Sequence, residues 1–173
     1  MVGSFGCGRP DSVGSAEAAA PAAGEAIFPH PFQDIEADYQ VGGKFTFIRI
    51  GLQPKPSKDG KDNLDGNFGV FYTIKALIEN PNPQPAEVEV VFEASAGYSG
   101  AVVLVDGQVV KTPVLKPKGE YRLAVVRLEP EARRSLYIQT MPLSGGSYPA
   151  TLAIRPVGSN ARYGTTPPSE RRP

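Results

Sequence analysis

A run of strict two-residue alternation, 68–80, ends at three closely spaced prolines, Pro81, Pro83 and Pro85. Along it Phe68, Val70, Tyr72, Ile74, Ala76 and Ile78 share one side, and Phe71, Thr73, Lys75, Leu77 and Glu79 the other. That period suits a strand and cannot make the stripe of a helix. The prolines withdraw three backbone donors and bias their predecessors towards extended conformations, so the strand must stop in a turn. The rest of the chain repeats this grammar. Runs rich in valine, isoleucine and aromatics are cut roughly every 8–12 residues by Gly, Pro, Asn or Asp clusters. With 19 glycines and 18 prolines in 173 residues, a helical bundle is disfavoured, since each interior proline costs a helix roughly 3 kcal/mol.

Residues 44–51 predict the first clear strand, with Phe45 and Phe47 on one side and Thr46, Ile48 and Ile50 on the other. After 68–80, residues 87–94 place Val88, Val90, Phe92 and Ala94 inward and Glu87, Glu89 and Glu93 outward. A hairpin of these two strands would bring Lys75 near Glu89, a cross-strand pair worth about 0.2–1 kcal/mol. The strongest local signal is Val102-Val103-Leu104-Val105, then Asp106-Gly107, then Gln108-Val109-Val110. A two-residue Asp-Gly loop fits a type I′ turn, whose central residues need φ > 0. The register then sets Val105 opposite Gln108, Leu104 opposite Val109 and Val103 opposite Val110. Residues 121–128 and 135–140, joined by Glu129-Pro130-Glu131-Ala132, predict two more strands. Residues 148–155 close the set, with Ala150, Leu152 and Ile154 on one side. About eight short strands with turn punctuation predict an all-β fold, an antiparallel β-sandwich. It should span 27–157, between an Ala/Gly/Pro-rich leader or tether, 1–26, and a polar tail, 158–173, both expected to be flexible.

The runs VFYTIKALIENPNPQPAEVEVVFEA, LEPEARRSLYIQTMP and SYPATLAI resemble bacterial immunoglobulin-like or fibronectin-III-like domains of secreted and envelope proteins. The resemblance covers 68–156 and lies in architecture: a strand ending in Asn, a proline-containing turn, and a late strand entered through a Leu-x-Pro turn. It implies an immunoglobulin-like sandwich in a secreted protein or a bacterial cell envelope. That family has no common active site, so no functional residue carries over.

Composition removes several chemistries. One histidine and one cysteine cannot assemble a His/Cys zinc site, and an intramolecular disulfide is impossible. A histidine-dependent catalyst would have to use His30, which sits between Pro29 and Pro31 with no carboxylate partner at a fixed spacing. Phe28 and Phe32 are expected to pin that segment onto the domain. Eighteen basic and eighteen acidic residues leave no net charge, which argues against a nucleic-acid partner. No apolar stretch reaches the length of about 18 residues that a transmembrane helix needs. No GxxxxGK[ST] phosphate loop occurs, and no cofactor is expected. The chain reads as a non-enzyme.

Candidate sites remain. Val102, Leu104 and Val109 line one face of the predicted hairpin, while Val103, Val105 and Val110 line the face that can pack on the core. Monomers rarely leave a large apolar patch bare, and an outer strand offers unpaired backbone groups. The cover is either the chain's own segment 28–32 or a protein partner, a second copy included. The loop holding Asp59, Asp62 and Asp65 is the metal candidate, for calcium. It is no EF-hand, because anchoring Gly66 at the invariant glycine puts Lys61 first and Tyr72 last. Asp59, Asp62 and Asp65 would therefore need another loop, and the alternative is a polar loop rich in turn formers. Two Gly/Ser loops carrying tyrosines, 95–100 and 144–148, are candidates for a binding tip. A hydrolase would need two convergent carboxylates, and the sequence leaves open whether Asp62, Asp65, Glu93 or Glu120 converge. Ser4-Phe5-Gly6-Cys7 resembles the end of a bacterial lipoprotein signal, which makes Cys7 a lipidation candidate; otherwise it is a free thiol. The expected function is a non-catalytic structural or protein-interaction module that self-associates through strand edges. The alternative is a small-ligand module for carbohydrate or calcium.

Overall fold

The computed structural model describes residues 32–57, 60–61 and 63–159. Their strands are β1 (Phe32–Gln40), β2 (Thr46–Ile50), β3 (Lys55–Pro56), β4 (Asn63–Leu64), β5 (Phe71–Glu79) and β6 (Ala86–Glu93). Then come β7 (Val102–Val105), β8 (Gln108–Lys111), β9 (Glu120–Leu128), β10 (Arg133–Thr140) and β11 (Ala150–Pro156). One sheet has the order β1-β5-β10-β7-β8 and a second β2-β11-β6-β9, while β3 and β4 pair separately. The inward residues of both sheets meet in one core, so the fold is an all-β sandwich. The two-residue pair β3–β4 and the strand β1 account for the excess over the eight strands expected.

Alternation builds the core as the pattern requires. Tyr72, Ile74, Ala76 and Ile78 of β5 are buried, with Val88, Val90 and Phe92 of β6 and Ala150, Leu152 and Ile154 of β11. Phe68 stays at the rim, edge-on against Tyr148 with ring centroids 5.7 Å apart. The β7–β8 hairpin has the expected register. Asp106 and Gly107 both adopt positive φ, 47° and 80°, as the type I′ turn demands.

Two features depart from expectation. The strand β1 runs parallel to β5, from Phe32 beside Phe71 to Gln40 beside Glu79, so one ladder of the sandwich is not antiparallel. Its inner positions, Gln33, Ile35, Ala37 and Tyr39, alternate with the acids Asp34, Glu36 and Asp38 and the end residue Gln40. That is a weak apolar signal, typical of a guarded edge. Phe32 touches Phe71 edge-on at 6.3 Å yet stays 70% exposed. Phe28, His30 and Cys7 lie outside the described residues, as do the leader 1–26 and the tail beyond 159.

The second departure is the proline-rich turn. β5 and β6 do not form a hairpin; the connection crosses from one sheet to the other. Lys75 therefore stands between Glu36 and Tyr137, and the expected Lys75–Glu89 pair does not form. Prolines hold the segment too extended for a tight hairpin loop. The β9–β10 connection makes the same crossing, and Asn80 ties the two corners together. Its Nδ2 donates to Gln84 O at 2.8 Å and to Glu129 O at 3.0 Å. Its Oδ1 accepts from Asn82 N–H at 3.2 Å.

Candidate functional site

The hairpin face is bare among the described residues. Val109 is 60% exposed, Val102 is also exposed, Leu104 is half-buried, and the nearby Val114 is 76% exposed. Asp106 clamps the hairpin to β10: its N–H donates to Tyr137 O at 2.8 Å, and its Oδ1 accepts from Tyr137 N–H at 2.9 Å. Its Oδ2 pairs with Arg134 at 3.0 Å. Thr112 N–H donates to Ala101 O at 3.0 Å, which places Thr112 on the β7 side of the ladder. By the alternation of antiparallel pairing, Val109 and Lys111 turn their backbone groups away from β7. Phe32, the end of the segment 28–32, sits in β1 at the opposite edge of that sheet, four strands from β8. It does not cover Val102, Leu104 or Val109.

Of the calcium candidates, Asp59 and Asp62 lie outside the described residues. Asp65 is exposed at the start of a short 3₁₀ turn, Asp65–Asn67. The neighbouring Asn67 amide is committed to Gln53 O and Tyr72 Oη, at 3.0 and 2.7 Å. Among the described residues, no group of three or more His, Cys, Asp or Glu side chains could hold a metal.

The charged site lies on the outer face of the second sheet. Arg155, in the middle of that sheet on β11, is almost wholly buried. Its Nε donates to Glu89 Oε1 at 2.8 Å and its Nη2 to Glu120 Oε2 at 2.8 Å, with Nη1 at 3.5 Å from Glu93 Oε1. Arg122 Nε adds a bond to Glu89 Oε2 at 2.7 Å. Glu89 faces outward as expected, but at 3% exposure it is not a solvent residue. Burial alone would lower the Arg155 pKa; hydrogen bonds to Glu120 and Glu89 outweigh it and raise the value.

A bulge makes this site. Val90 pairs with Ala124 but Val91 pairs with Arg122, so Leu123 is an extra residue in β9. Val126 and Ala124 face the core, and unbroken alternation would send Arg122 and Glu120 inward after them. The extra residue reverses the parity, which is how a bulge re-aims side chains. Arg122 then meets Glu89, and Glu120 lies directly beside Glu93.

Glu93 and Glu120 border a cavity of about 740 Å³, which Arg49 and Lys118 also line. Burial first, and then the charge of Glu120, raise the Glu93 pKa, with Arg155 and Arg49 opposing. The two Gly/Ser loops meet here, as Ser147 N–H donates to Tyr98 O at 2.8 Å. Their contact requires glycine at 97, where a Cβ would fall 2.0 Å from Ser147 Oγ. Burial raises the pKa of Tyr148, which lines the wall, against a hydrogen bond from Leu143 N–H.

Glu93 and Glu120 thus converge, and Asp65 does not join them. Sequence reasoning missed Arg155 and Arg122. The available signal was a set of opposite charges in strands that are otherwise apolar: Glu87, Glu89 and Glu93 against Arg122, Arg127 and Arg155.

No protein-family model matches the chain, and no curated protein matches it. Among solved structures it is similar to the Podospora anserina GH26-CBM35 β-(1,4)-mannanase, at 13% identity and a TM-score of 0.29 over 72% of this chain and 26% of that one. The chain spans about a quarter of the mannanase's length. It is also similar to the pre-peptidase C-terminal domain of collagenase from Bacillus anthracis, at 9% identity and a TM-score of 0.29 over 73% of this chain and 95% of that domain. Likeness at this level carries no argument about function. No helix among the described residues is long and apolar enough to cross a membrane.

Proposed function

We propose that this sandwich is a non-catalytic protein-interaction module of the secreted space or the bacterial cell envelope, and that it associates with a second copy of itself through β8. The observation that carries the proposal is the contrast among the sheet edges. The outer face of β1 bears Asp34, Glu36 and Asp38, β9 bears Glu120, Arg122 and Arg127, and β2 bears Arg49. Inward or edge charges of this kind deter strand addition. β8 has a charge only at its last residue, Lys111, and leaves Val109 bare. Antiparallel pairing of two β8 strands about Val110 sets each Val109 opposite the other copy's Lys111, so like charges do not face each other. The immunoglobulin-like resemblance over 68–156 points the same way.

The non-catalytic part of the reading is supported by the carboxyl pair. Glu93 and Glu120 stand directly opposite each other on β6 and β9, and both are engaged by Arg155, at 3.5 Å and 2.8 Å, so the pair is committed to an ion network. Size-exclusion chromatography with light scattering, with and without calcium, tests the proposal. The expected result is a concentration-dependent dimer that becomes monomeric in the Leu104→Lys/Val109→Lys variant while staying folded. A wild-type chain that is monomeric at all concentrations would overturn it. Association that appears only with calcium would favour the small-ligand alternative.

A further inference from the structure

One end of the first sheet carries an apolar row on its outer face. Phe32 of β1 stands beside Phe71 of β5. Thr140 ends β10 beside both Tyr72 and Val103, so the next residue, Met141, falls in line with Phe71 and Val102. The pairing runs on past β10, since Gly69 N–H donates to Pro142 O at 3.4 Å. Tyr72, Thr140 and Val103 are buried, which turns Phe71, Met141 and Val102 to the outer face. Phe32 is 70% exposed, Met141 38% and Val102 36%, and Phe71 is half-buried. Large apolar side chains thus cross β1, β5, β10 and β7 in one line. Contiguous exposed apolar surface of this kind marks an interaction site.

The row is narrow, and that selects its occupant. The next outward row on the same face is Asp34, Thr73, Gln139 and Leu104, polar everywhere but at Leu104. An apolar line one residue wide fits a single chain laid across the strands better than a globular surface. The protein supplies such a chain, because the described residues begin at Phe32, at the β1 end of the row. Ile27-Phe28-Pro29-His30-Pro31 precede it and lie outside the described residues. Pro29 and Pro31 bias themselves and their predecessors towards extended backbone. They also lack the N–H donors that a chain crossing a sheet face would leave unpaired. Residues 27–31 reach about 15 Å at about 3.1 Å each, and the strand spacings from β1 to β7 sum to about 14 Å. Upstream, residues 14–26 hold no large apolar side chain, so Ile27 and Phe28 are the apolar pair within reach. We propose that residues 27–31 form a strap across this row, with Phe28 seated on Met141 and Val102.

The strap does not depend on association through β8: it leaves Val109 bare, and the two can fail separately. Met141 is the probe, because Met1 and Met141 are the only methionines of the chain. The test is methyl NMR of the full chain carrying isotope-labelled methionine, at a concentration where light scattering shows a monomer. Met141→Leu assigns the signal. A nuclear Overhauser contact between the Met141 methyl and the Phe28 ring is expected. In Phe28→Ala the Met141 signal should shift, because the ring beside it is lost, while the amides of Val90 and Leu152 on the second sheet stay in place. Phe5→Ala, further up the leader, should leave the Met141 signal where it is. The proposal is overturned if the parent shows no contact between Met141 and Phe28, or if the Met141 signal of Phe28→Ala matches the parent's. It is equally overturned if the contact appears only at concentrations where the chain is dimeric, which would make the segment of a second copy the occupant.

Discussion

The outer faces of the two sheets solve opposite problems. At the hairpin end of the first, apolar side chains stand in water: Val109 and Val114 are mostly exposed, and a four-residue edge strand lies beside them. At the centre of the second, charges stand out of water: Glu89 and Arg155 are as buried as many core residues. The first arrangement adds little to the stability of a single chain and invites a second surface. The second must be complete to be tolerated, because a buried ion without its partner is far worse than none. Exposure marks the place where a partner can act; buried charge marks the place where the fold has committed itself.

The sharpest way to break this contrast is Arg155→Met. It leaves Glu89 and Glu120 buried without their main cation, and removing one partner of such a group costs about 3–5 kcal/mol. Thermal unfolding followed by circular dichroism should show the melting temperature falling by roughly 10 °C or more. An unchanged melting temperature would mean that water screens the network.

A smaller effect, of opposite sign, is expected of Glu93→Gln. A carboxyl whose folded pKa lies above its ordinary 4.5 contributes stability below that pH and loses it as pH rises through the raised value. The amide cannot ionise, so the variant should melt roughly 2–4 °C above the parent at neutral pH, and the two should coincide near pH 4. A variant less stable than the parent at neutral pH would show that the ionised carboxylate is needed.

On the other face, Leu104→Lys/Val109→Lys should change the stability of the isolated chain by no more than about 1 kcal/mol, even though it is expected to abolish the proposed association. Denaturant unfolding at a concentration where the parent is monomeric measures this. If the variant unfolds, the face is internal and the contrast collapses. The smallest effect belongs to Arg127→Ala. The Arg127–Glu87 pair is close, at 2.6 Å, but its side chains are largely exposed, and such pairs contribute about 0–1 kcal/mol. A loss as large as that of Arg155→Met would show that this whole face is less wet than its exposure implies.

Local rules were legible in the sequence, and parity was not. The Asp106-Gly107 turn fixes its own register, and β5 announces its buried side residue by residue. By contrast, the partner of β5 was misjudged. A proline-rich connection tells a strand to end, and whether the next strand joins the same sheet depends on contacts such as Asn80 to Glu129, 49 residues apart. The charged site was hidden for a related reason. Counting by twos places Glu120 and Arg122 with Ala124 on the core side, and one extra residue, Leu123, moves them to the face where Glu93 and Glu89 wait. Nothing local at 120–124 signals that bulge. The strand β1 escaped because acids alternate with only three apolar residues, Ile35, Ala37 and Tyr39.

The place of β2 has a consequence for how the chain is made. Its neighbour in the second sheet is β11, with Ile50 beside Ala150 and Thr46 beside Ile154. During vectorial synthesis β2 leaves the ribosome about a hundred residues before its partner, a wait of roughly 5–20 s at the usual elongation rate of about 5–20 residues per second. Through that interval Phe47, Ile48 and Ile50 have no ladder to join, and the second sheet lacks its central strand. The nascent domain is therefore held open until its last described strand emerges, and the exposed early strand is the segment a holdase would meet first.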